Sequence, residues 1–77
     1  MTRIPIVDFN TMEKILFSLG FKKVRQKGSH VFYKHKDGRA TTLPNHQGRD
    51  LSRPLLREIL REIETAPEDF VTILRSV

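Results

Sequence analysis

The sequence has no cysteine in its 77 residues. Disulfide bracing, thiolate metal sites and thiol redox chemistry are therefore closed to it. Its four glycines are scattered, so none of the glycine loops that cradle nucleotide phosphates can be assembled. No stretch approaches the ~20 apolar residues needed to cross a bilayer. The opening "MTRIPIVDF" lacks the apolar run of a secretory leader, so the expected location is the cytoplasm, with no membrane partner.

What is present is ordinary for a globular chain: 38% hydrophobic and 30% charged residues. The length predicts a single domain over residues 1–77. A chain of this size hides only ~60% of its unfolded surface, so a short sheet covered by helices is the economical solution.

Acidic residues are scarce in the middle of the chain. Between Phe21 and Arg53 nine basic residues meet only Asp37 and Asp50, a local net charge of +7. The remainder, with five basic and seven acidic residues, nets −2. A concentrated positive charge of this kind is either a solvated face or a surface for a polyanion.

The elements read as α-β-β-β-α-α. Asp8 caps a helix over residues 9–19, whose Met12, Ile15, Leu16 and Leu19 share one face, and Gly20 supplies the left-handed stop. Strands follow over residues 21–26, 30–35 and 39–43, the last two forming a hairpin across Asp37-Gly38. Pro44 ends the third strand, and "NHQGRD" is a polar loop. Ser52 caps a second helix with Pro54 in its first turn and Leu55, Leu56, Ile59, Leu60 and Ile63 as its apolar stripe. Thr65 to Glu68 fits a capping box that opens a short last helix containing Phe70, Ile73 and Leu74. The expected fold is α+β, a three-stranded antiparallel sheet with helices on one face and the other face open.

Three histidines carry the candidate chemistry. His30 follows Gly28-Ser29 at the start of the second strand, His35 closes that strand, and His46 lies in the loop after Pro44. Histidine both accepts and releases protons near neutral pH. Spacings of five and eleven residues, without cysteine, make a poor zinc site. Ser29 and His30 are neighbours on a strand and point to opposite faces, so a hydrolase pair is disfavoured. Cleavage of an RNA phosphodiester fits better, because the 2′-hydroxyl is the nucleophile and the protein need only position, move protons and neutralise charge. No metal or other cofactor is called for.

A site of that kind would use His30 as acid/base, with Lys22, Lys23, Arg25, Lys27, Gly28, Ser29, Lys34 and His46 along the RNA. Gly28 would let the backbone approach the ligand, or would mark a bulge between strands. Against this stands a strand histidine with structural hydrogen bonds only. Strand parity places His30, Phe32 and Lys34 on one face and Val31, Tyr33 and His35 on the other, and either set can be the buried one. Phe32 or Tyr33, whichever faces outward, is available for base stacking.

In order and spacing, Leu19-Gly20-Phe21, Arg25, Lys27-Gly28-Ser29-His30, Asp37-Gly38, Pro44 with His46, Leu56 to Leu60 and Glu68-Asp69-Phe70 resemble the HicA, or YcfA-like, family of small toxins. The resemblance implies a fold like that of double-stranded-RNA-binding domains and a ribosome-independent mRNA interferase activity, with His30 at the position of the catalytic histidine. It also implies a HicB-type antitoxin bound over that histidine. The free protein is expected to be a monomer or weak dimer. The chain departs from the family pattern at Arg53-Pro54-Leu55-Leu56, where many members read Gly-Thr-Leu. It departs again at Glu62 to Thr65, where members often end the helix on glycine. Two other readings stay open: a non-catalytic RNA-binding module, and a protein-binding domain that uses its sheet edge.

Overall fold

The computed structural model describes residues 3–46 and 48–77. Gln47, in the expected polar loop, and the first two residues lie outside that description. The elements are α1 (Phe9–Ser18), β1 (Lys22–Lys27), β2 (His30–Lys34), β3 (Ala40–Pro44), α2 (Arg53–Glu62) and α3 (Pro67–Ser76). The sheet is antiparallel in the order β1-β2-β3, and the α-β-β-β-α-α order is the expected one.

Local chemistry accounts for the boundaries of α1. The Asp8 carboxylate accepts from Thr11 N–H at 2.9 Å, satisfying one of the free donors of the first turn. This bond, with the Thr11 hydroxyl, holds the Asp8 carboxyl below the usual carboxylate range. At the other end Phe21 N–H reaches Leu16 O and Gly20 N–H reaches Phe17 O, with Gly20 at φ +92°. That pair of bonds is the Schellman arrangement, and it requires the left-handed residue glycine supplies.

β2 resolves the parity question. Val31 and Tyr33 are fully buried against the helices, together with Leu43 and Thr41 of β3. Met12, Ile15 and Leu16 of α1, Leu56, Ile59 and Leu60 of α2, and Phe70 of α3 pack into the same core. The Tyr33 hydroxyl donates to the Glu13 carboxylate of α1, and burial together with that carboxylate pushes the phenol well above its ordinary value. His30, Phe32 and Lys34 consequently occupy the open face.

The turns differ from expectation in three places. Gly28-Ser29 is the two-residue turn of a β1–β2 hairpin, with Lys27 opposite His30, and not a bulge. Gly28 at φ +59° suits the first central position of such a turn. The bulge lies inside β1, between Lys23 and Arg25, where Val24 is the extra residue. At the second hairpin His35 N–H bonds to Arg39 O at 2.8 Å, so the loop has three residues, 36–38, and Gly38 adopts φ +102°.

The capping box at Thr65 does not form. α2 ends in a second Schellman arrangement, Thr65 N–H to Leu60 O and Glu64 N–H to Arg61 O, with Glu64 itself left-handed at φ +56°. Thr65 is thereby consumed in ending α2, and its hydroxyl turns to Ile63 O at 3.4 Å. The N-cap of α3 falls on Ala66, which has no side-chain bond to offer, and Pro67 opens the helix. At ten residues α3 is as long as α1 and α2, not the short helix expected. Among the described residues no helix is long and apolar enough to cross a membrane.

Candidate functional site

The open face of the sheet is built from alternate residues of three strands. On β2 these are His30, Phe32 and Lys34, of which His30 and Lys34 are exposed and Phe32 is half-buried. Across the β1 ladder they face Lys27, Arg25 and Lys22; across the β3 ladder they face Pro44, Thr42 and Ala40. Strict alternation along β1 would have aligned Lys23 with Arg25 and Lys27. The extra residue Val24 instead pairs Lys23 with Tyr33 and brings Lys22 to the outer face. Of the sequence-predicted basic residues, Lys22, Arg25, Lys27 and Lys34 therefore share a face with His30, and Lys23 does not.

His30 and His35 part company in this arrangement. His35 Nδ1 accepts from Asp37 N–H at 3.1 Å and lies 3.0 Å from Asp37 Oδ1. Its ring packs edge-on against Phe21 at 5.2 Å. Asp37 accepts in turn from Arg39 N–H at 3.0 Å and Arg39 Nε at 2.8 Å, bonds that hold its carboxyl below the ordinary range. His30 has no such ring partner among the described residues, and it stands exposed at the mouth of β2. The bonding and packing that mark a structural histidine are found at His35.

Two of the nine central cations are also spent on the fold. Arg39 donates to Ile63 O at the end of α2 and lies over Phe21, and Arg53 Nε donates to Ile4 O at 2.8 Å. The charge left for a ligand is thus concentrated on β1 and β2.

Gly28 and Ser29 form the lip beside His30. The Gln26 amide donates to Gly28 O at 3.0 Å, and Asn45 N–H donates to Ser29 O at 2.7 Å. A Cβ at Gly28 would meet no heavy atom within 4 Å, so its positive φ alone makes glycine necessary. The Asn45 bond extends the β2–β3 ladder beyond Pro44 and brings the following loop to the same lip. His46 is exposed there and borders a polar hollow of about 310 Å³ with Asp8, Asn10, Asn45, Arg49 and Asp50.

Phe32 is the residue whose orientation sequence left open. It faces outward, and the Arg25 guanidinium lies over its ring at 4.6 Å. Val31, Tyr33 and Leu43 were the signal that could have decided this, since three apolar residues on facing strands outweigh one.

The face as a whole offers an unencumbered imidazole, four cations and an aromatic ring on one rigid surface. Such a set can exchange protons and neutralise phosphate. A family model described as "HicA toxin of bacterial toxin-antitoxin" matches residues 9–64, the span that includes α1, the whole sheet and α2. No curated protein matches the sequence.

Proposed function

The chain belongs to the HicA toxin family of bacterial toxin–antitoxin systems, and from that premise we propose that it is an mRNA interferase, an endoribonuclease that uses His30 as its acid/base group. The observation that carries this reading is the exposed His30 ring on the same sheet face as Lys22, Arg25, Lys27 and Lys34.

In the proposed reaction the 2′-oxygen of a ribose attacks the adjacent phosphorus. One P–O bond forms, the bond to the 5′-oxygen breaks, and the products are a 2′,3′-cyclic phosphate and a free 5′-hydroxyl. His30 takes the proton of the 2′-hydroxyl or returns one to the leaving oxygen. Lys27, directly across the ladder, and Arg25 beyond it balance the charge that develops on the phosphate. The Gly28-Ser29 lip lies beside His30, and His46 follows the end of β3. No protein nucleophile is required, and no metal is called for.

Family membership also brings an antitoxin partner. We place a HicB-type antitoxin over this same face, where an acidic surface would both neutralise the cations and cover His30.

An RNA cleavage time course with chelator present tests the reading, comparing wild type with His30→Ala after circular dichroism shows both folded. Expected are cyclic-phosphate ends from the wild type and a loss of about a hundredfold or more in the variant. Equal cutting by both would remove His30 from the reaction. Binding of RNA without cutting by either would make the protein an RNA-binding module.

A further inference from the structure

The open face holds a second feature besides the histidine and its cations. Phe32 lies two residues from His30 on the same side of β2, so the two side chains are about 7 Å apart along the strand. Beside it is a shallow hollow of about 290 Å³, bordered by Val24, Arg25, Phe32, Lys34 and Thr42. Glu62 also borders it, with one carboxylate oxygen accepting from Thr41 Oγ1 at 2.7 Å. The hollow is open, and at its border the Arg25 guanidinium lies over the Phe32 ring.

Aromatic rings on a sheet are commonly spent in the core. Here the core is complete without Phe32, because Val31, Tyr33 and Leu43 fill the helix side. The half-exposed ring and the Arg25 guanidinium over it are π groups of the kind on which unpaired bases stack. A duplex cannot use it: paired bases are stacked within the helix, and a sheet face meets only backbone.

We infer that Phe32 and Arg25 form a base-stacking platform that seats the nucleotide next to the phosphate held at His30, and that the substrate is cut only where it is single-stranded. This deepens the ribonuclease reading of the same face and rests on it. Lys34 and Lys22, opposite each other at the far end of the ladder, then take the next phosphate of the chain. The platform is indifferent to base identity through stacking alone, so it selects for strand state before sequence.

The test uses one short oligoribonucleotide, alone and annealed to its complement, with chelator present and 2-aminopurine placed at successive positions. Phe32→Leu keeps apolar bulk and loses the π face; Phe32→Trp keeps both, and circular dichroism checks each fold. On the single strand, Phe32→Leu is expected to lose about ten- to a hundredfold in kcat/KM, with Phe32→Trp within about threefold of wild type. The annealed strand is expected to be cut at less than about a tenth of the single-strand rate. With His30→Ala protein, 2-aminopurine fluorescence should be quenched at one position, and the quenching should vanish in His30→Ala/Phe32→Leu. Wild-type cleavage by Phe32→Leu, equal cutting of the duplex, or quenching that survives loss of the ring would overturn the platform and leave the ribonuclease reading standing. If the wild type cuts nothing, that reading falls, and the quenching result still decides the platform by itself.

Discussion

The two ends of β2 carry one histidine each and treat it in opposite ways. At the His35 end the ring is bonded to Asp37, packed on Phe21 and pressed against Gly20, where a Cβ would come within 3.0 Å of His35 Nε2. At the His30 end the ring projects from a two-residue turn into solvent among cations. A histidine held by bonding and packing to its neighbours is a component of the fold. One left exposed where charge converges is available for chemistry. The same strand thus separates the two roles by burial and bonding, although sequence presents them as two similar residues five positions apart.

Exchanging the two residues' roles is the most direct way to break this comparison. His30→Ala should abolish cleavage while shifting the urea midpoint little. His35→Ala should do the reverse: about 1–2 kcal/mol of stability lost, with cleavage per folded molecule nearly intact. Loss of activity in a fully folded His35→Ala protein would erase the distinction. Gly20→Ala sharpens it, because strain at φ +92° and the clash with His35 add together. Its cost should shrink when His35 is also replaced, a coupling measurable by a double-mutant cycle.

A smaller effect separates the two faces of β2. Tyr33 is buried and bonded to Glu13, and its folded-state pKa is raised. A raised pKa contributes stability that is complete below the unfolded tyrosine value of about 10 and is lost as pH rises above it. Urea midpoints should therefore fall more steeply above pH 10 in wild type than in Tyr33→Phe. Near neutrality the variant should be weaker by about 1 kcal/mol for the missing hydrogen bond. Smallest of all, Glu64→Gly should raise stability by roughly 0.5 kcal/mol, since glycine takes the left-handed position without steric penalty and gives back part of the gain as unfolded-state entropy. A lower melting temperature in Glu64→Gly would show that the glutamate side chain contributes something the backbone geometry does not.

Where sequence carried the signal, it was local and unopposed. Asp8, the 3.6-residue periodicity of Met12, Ile15 and Leu16, and Gly20 all agree on α1, and the structure places its boundaries within a residue of expectation. Ser52 and Pro54 open α2 in the same way, with Ser52 Oγ accepting from Leu55 N–H. The misread places are those where two local rules competed. Thr65 reads as a cap, but Glu64 takes the left-handed role first and moves the next helix start one residue on. Val24 reads as an ordinary strand residue, and nothing in its type announces a bulge. Phe32 and Tyr33 are equally good core candidates by composition, and only the facing strand breaks the tie. His30 was legible as a candidate from its neighbours, whereas its freedom from ring partners depends on tertiary placement. The lysine that joins it is set by the bulge, so Lys22 replaces Lys23 on the face His30 occupies.

The bulge has a further effect on the solution behaviour of the protein. β1 is an edge strand, fully exposed, and an edge strand offers its unpaired backbone to any copy of itself. Four of its six residues are cations, and the extra residue at Val24 breaks the regular spacing a second strand would need. Two such edges approaching each other would bring like charges together across a mismatched ladder. The cations that make the surface electropositive therefore also keep it from aggregating through its own edge. A bound polyanion would relax that repulsion, so self-association should be lowest in the free protein and rise with its charge partner present.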